Sequence, residues 1–516
     1  MALLSFDSLV ILLTLFQFSR SSVIQVGNWA LSSLVTLIPG NVAQLSDAVQ
    51  SGATKKEATT RKGRKSSKKG RRNAGAAAAE ETKTAGEATS GDAGNSPFYE
   101  VQMKLNHLNF YREYDMVAGL GAVGVASFLM SEVAYCLLWG GNLRGPQTAT
   151  SFVLGALVLI NMGVLGQVLR AAGSGEKQYS LAFAILGFLA CMVLNGMVSD
   201  AEVLPDLKFE RGFASTEAIP ESVHTELWWS VNLGLCLFGA MFAYVSFLPA
   251  MRFARVYHET VGLADRKQHV TSMLQPTLAT RMVLHLNFVL PLLVVLLYVE
   301  PLSTQPIVDN LLGGDRALYV RLRFGIMSFA AALRLYLFPR MMQGYADSAY
   351  LVVQFMLLHK GKFSAEAIVN TLNASYRSVC SAAIHYLAPA LMMAYLVLLH
   401  ARVHENAFGL CNPCWALAGY NRTTVPYTQT AADSLLRSLA AQHMPESGTL
   451  VPLDILAPVL ETMTVWVHFV WFAFSAGALL HWRSGGGDTP RKFAISSELQ
   501  AAAVREAQAE ASKKKK

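Results

Sequence analysis

An all-α, polytopic transmembrane helical bundle is the fold class this sequence predicts, and three observations predict it. Hydrophobic residues make up 53% of the chain and charged residues only 15%, against roughly 25% charged in soluble proteins. The apolar residues gather in blocks of about 20, the length that crosses ~30 Å of hydrocarbon as a helix. No segment shows the roughly ten-residue alternation of a membrane β-barrel strand.

The elements follow in chain order. Leu3 to Phe18 is read as a retained anchor, because MALLSFDSLV lacks a basic stretch and no small-residue cleavage site follows. Val23 to Ile38 is apolar but only about 15 residues long and contains Asn28, so it is assigned to an interfacial or re-entrant helix. Gln44 to Pro97 is rich in Lys, Ala, Gly, Ser, Thr and Glu and has no Phe, Tyr or Trp; it cannot bury enough apolar surface to offset its ordering entropy and is expected to be disordered. Eight further spans are expected: Met116 to Trp139, Ala149 to Leu169, Tyr179 to Val198, Leu227 to Leu248, Met282 to Val299, Leu318 to Phe338, Val379 to Leu399 and Pro458 to His481. That gives about nine spans, with Pro249, Pro291, Pro339 and Pro389 expected to kink or end helices. The organisation is an anchor with an interfacial helix (1–43), a basic linker (44–97), a multi-span bundle (98–483, with a long outer loop at 400–457) and a C-terminal tail (484–516).

Charge orients this bundle. With the N-terminus lumenal and the C-terminus cytosolic, cytosolic segments hold 33 of the 43 Lys and Arg, outer segments seven, and spans three, as the positive-inside rule requires. The run Lys55 to Arg72 contains ten of those 33 and one acid. It reads as a solvated topology determinant that grazes anionic lipid. A polybasic lipid switch, with Thr59, Thr60, Ser66 and Ser67 as phosphorylation sites, is the sharper alternative. The absence of aromatic residues from the run argues against nucleic acid as a partner.

The loop His400 to Ala457 carries independent markers. Asn421-Arg422-Thr423 is a glycosylation acceptor that works on the lumenal side. Cys411 and Cys414, in CNPC, are expected to form a structural disulfide in an oxidising lumen; a catalytic redox pair lacks a thioredoxin-like setting. His400 and His404 with these cysteines would suit tetrahedral zinc, a weaker reading because a helix end often carries His near water. Cys136, Cys191, Cys236 and Cys380 read as small apolar packing residues.

Ionisable groups at membrane depth are functional candidates by default. Glu132 lies in the outer part of its span and Arg334 near the inner end of another, so a direct pair between them is not expected. Arg321 and Arg323 are better placed to partner Glu132. His285, Asn287, Asn161, Asn195, Asn232, His385 and His468 add a polar thread. The thread either holds helices together through hydrogen bonds of about 1 kcal/mol or less, or lines a path for an ion or small solute. No Walker loop, H-E-x-x-H or G-x-S-x-G motif is present, so neither an enzyme nor a cofactor is expected.

Read in order, Met1-Ala2-Leu3-Leu4, Tyr111-Arg112-Glu113-Tyr114, Ser131-Glu132-Val133-Ala134-Tyr135, Leu248-Pro249-Ala250-Met251-Arg252-Phe253-Ala254, Leu333-Arg334-Leu335 and Tyr386-Leu387-Ala388-Pro389 resemble the eukaryotic transmembrane protein 161 family. The resemblance implies a non-enzymatic regulatory integral membrane protein, associated in animals with stress response and membrane excitability. Glu132 and Arg334 match polar positions of that pattern. The closing Lys513 to Lys516 resembles a dilysine retrieval signal, which favours the endoplasmic reticulum over the plasma membrane.

Overall fold

The computed structural model describes residues 31, 34–39, 98–102, 108–139, 149–200, 221–263, 277–299, 304–310, 312–313, 316–347, 373–403 and 453–484. Leu3 to Phe18, the basic run Lys55 to Arg72, His404, Cys411, Cys414, Asn421 and the C-terminal tail lie outside these residues.

Chain contacts divide the protein into two units. The larger carries the helical bundle: α1 (Tyr111–Trp139), α2 (Ala149–Arg170), α3 (Ser174–Asp200), α4 (Glu221–Leu263), α5 (Leu278–Leu296), α6 (Arg316–Tyr336), the short α7 (Phe338–Asp347), α8 (Val379–Val403) and α9 (Leu453–Arg483). Seven described helices are long and apolar enough to cross a membrane, and α6 with α7, bent by 42° at their junction, makes an eighth. These are the eight expected spans after the first.

Side-chain contacts give each helix its direction. In the antiparallel pair α3 and α4, Asn195 meets Asn232 while Phe183 stacks on Phe247. Gly239 of α4 meets Trp466 of α9, and Arg255 lies over Trp482, so these two run parallel. His285 of α5 meets Tyr257 of α4, and Tyr298, just beyond α5, meets Arg323 of α6. His400 and Thr464 set α8 antiparallel to α9. Gly121 faces Leu391 and Gly124 faces Tyr395, so α1 runs with α8. With α6 and α7 counted as one span, up and down alternate from α1 to α9, so the start of α1 and the end of α9 lie at the same end of the bundle.

Small residues let these helices approach closely, the usual device where lipid offers no hydrophobic drive between helices. A Cβ on Gly187 of α3 would sit 2.7 Å from that of Ala243 on α4, and one on Gly124 of α1 would sit 2.6 Å from Leu157 Cδ1 on α2.

Two expectations need correcting. Pro249, Pro291 and Pro389 lie inside continuous helices; only at Pro339, in the first turn of α7, does a proline accompany the bend. Tertiary neighbours hold a membrane helix together across a lost backbone bond, while a first-turn proline has no bond to lose. Helix α4 runs unbroken for 43 residues, about 65 Å, which is longer than the hydrocarbon is thick.

The second unit holds the described strands. β1 (Val35–Pro39) pairs antiparallel with β2 (Phe98–Gln102), Val35 opposite Gln102 and Pro39 opposite Phe98. The end of the proposed interfacial helix Val23 to Ile38 is thus a strand. The β-branched Val35, Thr36 and Ile38 favour that conformation, and Pro39 sits at the strand end, where a missing donor is tolerated.

Candidate functional site

The intramembrane polar residues sort into three tiers along the bundle. At one end of α6, Arg323 Nη2 donates to Glu461 Oε1 of α9 at 3.0 Å, both side chains being 5–6% exposed. The guanidinium also lies 4.2 Å from the centre of the Tyr298 ring and 6.0 Å from that of Tyr319. A buried pair survives desolvation only with good geometry and further partners, and the two aromatic faces are such partners. In the same part of α9 the Thr464 hydroxyl donates to the Leu460 carbonyl at 2.8 Å, so its oxygen accepts from His400 Nε2 at 2.9 Å.

Eleven residues further along α6, about 16 Å at helical rise, lies Arg334, 2% exposed. Its guanidinium sits 4.5 Å from the Trp471 ring centre and 5.7 Å from that of Phe253, and Nη1 donates to Met393 Sδ at 3.1 Å. Tyr386 donates to its backbone carbonyl at 3.0 Å. Among the described residues no carboxylate pairs with it; the cation is held by π faces and sulfur, contacts worth ~2 kcal/mol each when desolvated. Asn287 is buried in α5 and His468 in α9, where His468 Nδ1 donates to the Thr464 carbonyl at 2.8 Å.

The third tier joins α4 to α8 beyond the proline of α4. Arg252 Nη1 donates to His385 Nδ1 at 2.9 Å and to Ser381 Oγ at 3.3 Å. Because arginine only donates, His385 accepts at Nδ1 and carries its proton on Nε2. A cavity of about 20 Å³ lies here, lined by Arg252, His385, Tyr345, Tyr386 and Met341 among others, room for about one water. Nearby on α4, Tyr257 meets His285 Nδ1 at 2.6 Å, with the His285 side chain itself exposed.

The geometry gives Arg323 a partner that the sequence reading did not name. Glu132 is buried in α1; Arg323 pairs with Glu461, and Arg321, two residues earlier and therefore about 200° around the helix, is exposed. The polar thread resolves into local pairs: Asn195 with Asn232 at 2.6 Å, and Asn161 with its own helix at Leu157. Glu461 and Trp471 were missed as partners. Glu461 had a readable signal, a lone acid inside VLETMTVWV; the role of Trp471 had none, since an aromatic residue in a span is ordinary.

Among the described residues no cluster of three or more His, Cys, Asp or Glu forms a metal site. Cys191, Cys236 and Cys380 are buried free thiols. A family model described as predicted transmembrane protein 161AB matches residues 54–483. The chain belongs to this family. The match spans most of the linker, α1 to α9 and the outer loop, so the charge tiers belong to the family's own region. No solved structure matches the chain.

Proposed function

We propose that this member of the transmembrane protein 161 family is a non-enzymatic regulatory membrane protein, a helical body locked by buried charge that acts through partners in the bilayer or on its basic linker. The observation that carries this reading is the occupation of the two buried arginines by protein: Arg323 by Glu461 and Tyr298, Arg334 by Trp471, Phe253 and Met393. The cavity beside Arg252 and His385 is about 20 Å³, too small for a hydrated ion. Neither it nor the open groove on α6 is lined by Glu132 or His285. A role in stress response and membrane excitability is part of the proposal and rests on the family resemblance.

Threading is part of it too: linker and C-terminal tail cytosolic, Asn421 glycosylated and Cys411 bridged to Cys414 in the lumen, with residence in the endoplasmic reticulum. The 33-to-seven bias of basic residues supports this orientation. The alternative, a transporter or channel, draws support from Arg334 Nη2 and His385 Nε2, buried nitrogens without a hydrogen-bond partner among the described residues. Reconstituting wild type and Arg334→Gln into liposomes separates the two. The regulatory reading expects no ion flux above empty liposomes for either and a lower folded yield for the variant. A wild-type flux abolished in a well-folded variant would establish the transporter.

A further inference from the structure

The outward face of α6 differs from its inward face in a way that selects a ligand. Arg323 turns inward to Glu461, whereas Arg321 is exposed and has no ion-pair partner among the described residues. Arg321 lies in the wall of an open groove of about 450 Å³, with Leu312 and Leu318 on its N-terminal side and Leu322, Gly325, Ile326 and Phe329 on its C-terminal side. Leu318, Leu322 and Phe329 are 37–51% exposed. Arg321, Gly325 and Phe329 follow each other at intervals of four, so they lie along one helix stripe. Gly325 is exposed and leaves the middle of the groove open, since a Cβ there would meet nothing within 4 Å. Phe329 closes the far end, about 12 Å from Arg321.

The geometry points to a bound glycerophospholipid, with its phosphate on the Arg321 guanidinium and one acyl chain laid along the Gly325 groove toward Phe329. An exposed guanidinium near the N-terminal end of an open apolar groove on a membrane span is complementary to a phospholipid, which joins an anionic phosphate to hydrocarbon tails. The groove commits to lipid rather than to another helix because its lining carries one charge, Arg321, in the first turn of the span Leu318–Tyr336, and is otherwise apolar.

The test uses the full chain in phosphatidylcholine nanodiscs containing a phosphatidylcholine with a diazirine on its acyl chain. After irradiation, labelled peptides are mapped and label per protein is counted. In the wild type, label should concentrate on residues 318–329. Arg321→Gln loses a charged hydrogen bond worth ~1.5–3 kcal/mol, so labelling there should fall about tenfold or more. Gly325→Leu, which fills the groove without a clash, should do the same, while Arg321→Lys should keep most of the label. Label spread evenly over the exposed faces of α3 and α6 in the wild type would overturn the site, and needs no variant to fold. Undiminished labelling in folded Gly325→Leu would also overturn it.

Discussion

Helices α8 and α3 are both apolar along their length, yet 94% of the apolar stretch of α8 is buried inside the protein and only 22% of that of α3. Hydropathy cannot separate them, because lipid tails are as apolar as a protein core. Polar chemistry does. Along α8, Ser381, His385, Tyr386 and His400 each reach a side chain or carbonyl on α4, α6 or α9. Along α3, Asn195 and Cys191 face α4, while Leu181, Ile185, Leu186, Leu189 and Val193 are more than half exposed. The centre of this bundle is marked by where polar groups are needed, not by where the chain is most hydrophobic.

Substitutions can break or sharpen that contrast. The largest effect is expected at the centre: Trp471→Ala removes a fully buried ring and the π face over Arg334, and should cost ~3–5 kcal/mol, read as a lower thermal midpoint in nanodiscs. Gly187→Leu should come next, at ~1–3 kcal/mol, because its Cβ would press on Ala243 and force α3 from α4; the nearby Gly196→Leu, with open space around it, should be tolerated. Asn195→Leu removes the bond to Asn232 and should cost about 0.6 kcal/mol, the usual worth of such bonds in membranes. Leu186→Ala on the open face of α3 should move stability by less than about 0.5 kcal/mol. A loss at Leu186 as large as that at Trp471 would mean α3 is covered by protein rather than lipid.

Span positions were legible because a helix must be about 20 apolar residues long to cross hydrocarbon, a constraint carried by each segment alone. The partner of Arg323 was not, because Glu461 lies 138 residues away and nothing local in either segment names the other. Proline was misleading for the same reason: Pro249 and Pro389 look like helix ends in one dimension, but each lies inside a continuous helix. Val35–Ile38 was read by its hydrophobicity as the end of a helix, when its β-branched residues and its pairing with Tyr99–Gln102 made it a strand. The unshared cation Arg334 was visible as a charge in a span, but its cage needed Phe253, Met393 and Trp471 from three separate helices.

The most direct test is a mutant cycle on the buried ion pair, measuring thermal midpoints of Arg323→Gln, Glu461→Gln and the double variant in nanodiscs. If intramembrane charge serves to hold helices together, each single change strands a buried partner and costs ~3–5 kcal/mol, and the double variant recovers most of that loss. Single variants that melt with the wild type would contradict the account.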